Sequence, residues 1–325
     1  LYDELPTSRR LRLHRDIGLA LEQVSDGTTH LTELARHFTE AAALGEVDKA
    51  VMYCRRAGDT AKADLAYEEA AAHFERALEA LELQEPIDEA LRGHMLMAAG
   101  DALYQIADPR GETLLLAAEE SGRTRDDMQL LANVSIGLGT SIFVRATAVV
   151  DAHNVALAEH VLARADLLTP DLHARVLATY ALELFWTDAQ RRRIELCDQA
   201  LAIARELGDP RVLAHVLHSS SYAVDVTQID RLDRAMAEAS EIIKVAAGFD
   251  DALVCSALCS RAIAYVCKGD TTAGDRDLAD AELLAERLRI PQLIARTKVL
   301  RASLVLLIGQ LDDAVRADLN VRRLD

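Results

Sequence analysis

The stretch VMYCRRAGDTAKADLAYEEAAAHFERALEAL, residues 51–81, decides the fold. Nearly every residue in it favours helix, yet Gly58 sits in mid-pattern, where glycine costs about 1 kcal/mol against alanine. Such a loss is offset when a neighbouring helix must approach more closely than a side chain permits. In the first half, Cys54, Ala57, Gly58 and Ala61 share one helix face, and in the second Ala70, Phe74 and Ala77 follow a small-x3-large-x2-small spacing. Two helices meeting through small residues predict a helical hairpin. The same contact should then recur along the chain.

It does recur. Ala158, Leu162 and Ala165 keep the second-helix spacing, as do Arg193, Cys197 and Ala200. Leu232, Met236 and Ala239 follow, then Gly274, Leu278 and Ala281, and a weak last copy at Ala314, Asp318 and Val321. Gly100, again in an AGD context, implies a further pair between Leu91 and Gly122, with Leu114 to Glu120 behind it. The units end at 77, about 120, 165, 200, 239, 281 and 321, at intervals of about 35 to 45 residues. LGDP (207–210), AGFDD (247–251), KGD (268–270) and IGQLDD (308–313) punctuate them as turns. A hairpin cannot bury its apolar face alone, so neighbours must stack. The spacing within each unit resembles the tetratricopeptide consensus, with Gly58 at the small position of the first helix and Glu82 in place of the usual closing proline. The expected fold is all-α, a right-handed α-solenoid of about seven tetratricopeptide-like hairpins over residues 26–325.

Composition agrees. The chain has 325 residues, of which 50% are hydrophobic and only 4% aromatic, so its core must be built from Ala, Leu, Val and Ile. Six prolines and fifteen glycines are few breakers for an all-β or α/β design. A formal charge of −17 argues against a generic grip on nucleic acid or anionic lipid. No apolar run approaches a membrane span and no signal peptide is visible, so the expected compartment is the cytoplasm. The five cysteines (Cys54, Cys197, Cys255, Cys259, Cys267) lie within helical patterns and read as reduced and buried.

The first 25 residues differ in character. Pro6 stands at a helix entry, and Arg9, Arg10, Arg12, His14 and Arg15 crowd together as a solvated face beside Leu11, Leu13 and Ile17. The run Leu1-Tyr2-Asp3-x-Leu5-Pro6-x-x-Arg9-Arg10-x-x-Leu13-His14 resembles the junction that follows the winged-helix part of a group of signal-transduction ATPases. These are large bacterial transcriptional regulators of LuxR type, similar to the maltose-regulon activator. HLTELARHFTEAA (30–42), residues 48–81, MAAGDALYQIADPRG (97–111) and CDQALAIARELGDPRVLAHVLH (197–218) extend the likeness over nearly the whole chain, most densely up to residue 122. The resemblance implies that residues 1–25 are a junction from an upstream ATPase module. It also implies that 26–325 form the sensor region of a longer regulator.

Chemistry is hard to find. There is no G-x-x-x-x-G-K-[ST] loop, and GDTTAGD (269–275) lacks the lysine and a preceding strand. His215 and His218 share one helix face and Cys255 and Cys259 another, but zinc needs three or four convergent ligands with a second shell. HSSSYAVD (218–225) contains His, Ser and Asp, but neighbours along a helix do not converge as a triad. No catalytic residue, metal or cofactor is therefore expected. Recognition remains. First helices of such hairpins line the inner face, and here they carry Tyr180 and Trp186, then His218, Ser219 and Tyr222, then Ser260, Arg261 and Tyr265. Tyr180, Trp186, His218, Tyr222, Arg261 and Tyr265 are the expected ligand- or peptide-binding residues. The expected function is sensing of an inducer or protein partner, coupled to the ATPase module, with homo-oligomers possible. The alternative is a protein-interaction or self-association scaffold with no small-molecule ligand.

Overall fold

The computed structural model describes residues 6–24, 29–139, 150–223 and 229–307, apart from a few side chains that include those of Trp186 and Tyr222. The weak repeat copy at 314–321 and the turn at 308–313 lie outside the described residues. Among those residues every regular element is helical: α1 (Thr7–Val24), α2 (Leu31–Ala41), α3 (Val47–Ala63), α4 (Tyr67–Leu81), α5 (Glu89–Gln105), α6 (Arg110–Arg125), α7 (Met128–Gly139), α8 (Ala152–Leu162), α9 (Pro170–Glu183), α10 (Gln190–Leu207), α11 (Pro210–Ala223), α12 (Ile229–Ala246), α13 (Asp251–Cys267), α14 (Thr271–Leu288) and α15 (Pro291–Leu307). They form two compact units, α1–α7 and α8–α15. Within each unit, helices pack mainly on their neighbours in sequence.

In the first unit the hairpin α3–α4 is built as residues 51–81 predict. Cys54, Ala57, Gly58 and Ala61 are buried on α3, facing buried Ala70, Phe74 and Ala77 on α4. A methyl group at Gly58 would stand 2.6 Å from the Phe74 ring, so the ring occupies the space a side chain would take. The α5–α6 hairpin is closer still. Cβ atoms at Gly100 and Gly111 would each approach backbone atoms of the other helix, within 2.9 Å of Leu115 N and 2.6 Å of Tyr104 N respectively. The small–large–small signature of α6 is thus Gly111, Leu115 and Ala118, all buried.

Helix α1 docks into the same unit. Its buried residues are His14 and Gly18, while Leu13 is exposed. Gly18 admits the Phe38 ring of α2, with a would-be Cβ 3.0 Å from the ring. His14 Nδ1 and His37 Nδ1 of α2 share a hydrogen bond of 3.1 Å. From α3, Lys49 Nζ and Tyr53 OH donate to Glu22 of α1 at 2.6 and 2.7 Å, and burial with that bond pushes the Tyr53 phenol up to about 12. The arginines at 9 and 12 are exposed, a solvated face.

The second unit is more regular. Its first helices α9, α11, α13 and α15 begin at 170, 210, 251 and 291, spacings of 40, 41 and 40 residues. Three of them open on proline at the first helical position, where the missing N–H costs nothing and the fixed φ suits the helix. Turns are set by left-handed residues, Gly208, Gly248 and Gly269, each followed closely by an aspartate that accepts from a backbone N–H of the next helix. Gly274 of α14 repeats the close approach, with a would-be Cβ 2.6 Å from Val266 and 3.0 Å from Ala262 O on α13. Arg193 departs from the small residue expected at its signature position. It is buried, donates to Phe185 O at 2.9 Å, and stacks over the Phe185 ring. Four cysteines are buried as expected, and Cys267 is exposed.

If the glycines mark contact rather than flexibility, alanine should destabilise despite its better helix propensity. Gly58→Ala must displace an aromatic ring, whereas Gly111→Ala must displace backbone. Urea unfolding should show both variants less stable by about 1–3 kcal/mol, with Gly111→Ala the worse of the two. Equal or increased stability would show that the close approaches do not constrain the hairpins.

Candidate functional site

The four first helices of the second unit lie side by side, α9 against α11, α11 against α13, and α13 against α15. Because their starts are spaced by 40 or 41 residues, structurally equivalent positions can be read off directly. The sixth residue of each is Arg175, His215, Ser256 and Arg296. One turn further, the tenth residue is Thr179, Ser219, Ser260 and Leu300. Seven of these eight positions carry a polar group, and none carries a carboxylate. Thr179, Ser219 and Ser256 are buried, while Arg175, His215, Ser260 and Arg296 are half-buried. The row is thus partly open and partly embedded.

Neighbouring rungs touch. Arg296 Nη2 donates to Ser260 Oγ across α15 and α13 at 3.2 Å, and Ser260 Oγ donates to Ser256 O at 3.1 Å. His215 Nε2 is buried without a hydrogen-bond partner. Electrostatics follow from this crowding. Burial pulls the His218 imidazole down to about 3, helped by the Arg296 charge. His215 is held well below its ordinary value by burial, then by Arg175 and His218. Burial also lowers Arg296 to about 10, which leaves it charged near neutrality.

The residues expected from sequence divide. His218 lies outside the row itself, one residue before Ser219, and feels the Arg296 charge. Tyr180 is buried and donates to Glu159 of α8 at 2.6 Å, with its phenol pushed up to about 12 by burial and that carboxylate. Arg261 reaches the second helices instead, donating to both carboxylate oxygens of Asp277 on α14 at 2.7 and 2.9 Å and to Ser240 Oγ on α12 at 3.1 Å. Half-buried Tyr265 lies within electrostatic reach of Arg261. The side chains of Trp186 and Tyr222 lie outside the described residues; the backbone of Trp186 ends a 3₁₀ turn after α9. Sequence reasoning passed over Arg175 and Arg296, and considered His215 only for zinc. Among the described residues, no group of three or more His, Cys, Asp and Glu could hold a metal ion. The signal available was the helix-opening prolines at 170, 210 and 291, one and then two repeats apart, which put Arg175, His215 and Arg296 in register.

No family model matches the chain, and no curated protein matches it. Solved structures do. A signal transduction ATPase with numerous domains from Pyrococcus horikoshii, described as having a tetratricopeptide repeat sensor, aligns with a TM-score of 0.58 at 14% identity. The alignment covers 95% of this chain and 47% of that one, so the chain spans about half the ATPase's length. A Rap protein complexed with competence and sporulation factor aligns with a TM-score of 0.65 at 12% identity, over 98% of this chain and 92% of that one. Likeness at such low identity bears on fold alone.

The buried histidines generate a pH prediction. A histidine with a depressed folded-state pKa stabilises the fold fully above its unfolded value of about 6.5. That stability is lost as pH falls below it, because the unfolded state then binds a proton the folded state refuses. Urea unfolding between about pH 6.5 and pH 4.5 should therefore show a stability slope of up to about 1.4 kcal/mol per pH unit from His218. His218→Gln should remove that share; an unchanged slope would mean that the imidazole titrates normally. The chain's fold is an all-α, tetratricopeptide-like helical-repeat solenoid.

Proposed function

We propose that this chain is the sensing region of a multidomain, ATP-dependent transcriptional regulator and acts by recognition, not catalysis. The observation that carries the reading is the polar row at equivalent positions of α9, α11, α13 and α15. A helical repeat gains stability from apolar residues at repeated inner positions. Polar groups kept there in register, some buried and some half-buried, are what a binding face requires. Support also comes from fold likeness to a structure described as a repeat sensor and to one solved with a bound factor. In this reading residues 1–25 are the junction from an upstream ATPase module, the protein works in the cytoplasm, and an inducer or partner occupies the first-helix face. As a switch, the occupant must bind the active arrangement more tightly than the resting one.

The second reading, a scaffold without a small-molecule ligand, predicts a different binding pattern. Titration calorimetry of the chain against candidate inducers and the separately produced ATPase module is the test. The sensing reading predicts saturable binding of an inducer that changes the affinity for the ATPase module by about 5- to 150-fold. Affinity for that module, or for a second copy of the chain, that is indifferent to every inducer would favour the scaffold. Silence toward both would overturn the proposal.

A further inference from the structure

Two surfaces of the first unit carry opposite charges, each against the preference of the helix that bears it. Helix α1 has Arg9 and Arg10 in its first turn and no acidic residue there. Helix α4 has Glu79 in its last turn and Glu82 at its C-cap, with no basic residue in that turn. A helix N-terminus disfavours cations and a C-terminus disfavours anions, so neither arrangement serves its own helix. Both charge runs extend further. TSRRLRLHR (7–15) holds four arginines and no carboxylate, whereas EALELQEPIDE (79–89) holds five carboxylates and no lysine or arginine. The first carboxylate after the basic run, Asp16, pairs with Arg15 at 3.6 Å.

Each surface also leaves apolar side chains in water. Leu13 is 41% exposed and shares one face of α1 with exposed Arg9 and Arg12. Leu83 and Ile87, in the α4–α5 connection, are 56% and 36% exposed. Around them, Asp88 caps α5 through Ala90 N and Leu91 N, and Glu89 pairs with Arg92 at 3.5 Å. Glu82 and Glu85 remain exposed to solvent. One surface is therefore basic and apolar and the other acidic and apolar, and within a single chain neither covers the other.

We infer that the two surfaces pair between copies of this chain, the Arg9, Arg12 and Leu13 face of α1 in one copy seating on Glu82, Leu83, Glu85 and Ile87 of the next. Arginine suits the role, because its paired N–H donors grip a carboxylate while its stem covers apolar surface. The surfaces are unlike, so the contact is head-to-tail, and each copy offers one of each kind to its neighbours. The contact lies in the first unit and the sensing reading rests on the second, so the two stand or fall separately.

Sedimentation velocity of the whole 325-residue chain tests the pairing. Salt at about 0.15 M confines charge effects to about 8 Å, so the net charge of −17 does not mask a local contact. The unchanged chain should associate reversibly at concentrations below about 1 mM. Arg9→Glu with Arg12→Glu should leave monomers, and so should Glu82→Arg with Glu85→Arg. Arg9→Glu and Glu82→Arg each put the favoured charge at a helix end, so lost association is not lost fold. Mixing the two monomeric variants should restore association, because each reversed surface then meets its opposite. Leu83→Ser with Ile87→Ser should weaken the contact by about tenfold or more. Leu283→Ser, at an exposed leucine of α14, should leave it unchanged. A chain that stays monomeric, association that survives both charge reversals, or variants that stay apart when mixed would each overturn the inference.

Discussion

Close approach between helices is the constraint on which the rest depends. With only 4% aromatic residues, the chain cannot fill wide gaps between helices, so its hairpins must be narrow. Glycine and alanine make them so. Phe74 fits because Gly58 has no side chain, and α5 meets α6 at backbone distance because Gly100 and Gly111 face one another. Gly274 does the same for α13 and α14. Each such contact costs about 1 kcal/mol in helix propensity and returns dispersion and burial over a whole interface. Pairs of helices locked at short distance are rigid units, and a face made of several such units keeps its side chains in register.

Register is what turns the second unit from a packed stack into a candidate recognition surface. A 40-residue spacing of first helices carries each sixth residue to an equivalent place, so Arg175, His215, Ser256 and Arg296 line up without being near in sequence. Ion pairs between second helices hold the backs of the hairpins. Arg205 of α10 meets Glu241 of α12 at 3.0 Å, and Arg234 of α12 meets Asp198 of α10 at 3.0 Å while also pairing with Glu238 on its own helix at 2.8 Å. Surface pairs of this kind add little energy singly, but they oppose sliding of one hairpin past the next. Arg261, bound to Asp277 and Ser240, is best understood as part of this bracing.

The sequence made the hairpins legible because glycine in a helical run has few physical explanations. The pattern at residues 51–81 led directly to the Gly58–Phe74 contact, and the turns at Gly208, Gly248 and Gly269 fall where their LGDP, AGFDD and KGD signals put them. The site was less legible. Tyr180 and Arg261 sit on first helices as expected, yet their polar ends find partners on α8, α12 and α14. A side chain's direction around its helix depends on packing that spacing alone does not fix. Arg175 and Arg296 escaped notice because an arginine in a helix is ordinarily a solvated surface residue, and only the three-dimensional register sets them beside His215 and His218. His14 stands among arginines in sequence, yet it is buried and shares a hydrogen bond with His37, one turn from Gly18, where Phe38 packs.

The most direct test of the account is amide hydrogen exchange of the chain with and without an occupant that calorimetry has shown to bind. If the first helices of the second unit form the recognition face, added protection should appear periodically, around residues 175, 215, 256 and 296, at the 40-residue spacing of α9, α11, α13 and α15. Protection confined to α10, α12 and α14, or to the first unit alone, would contradict it.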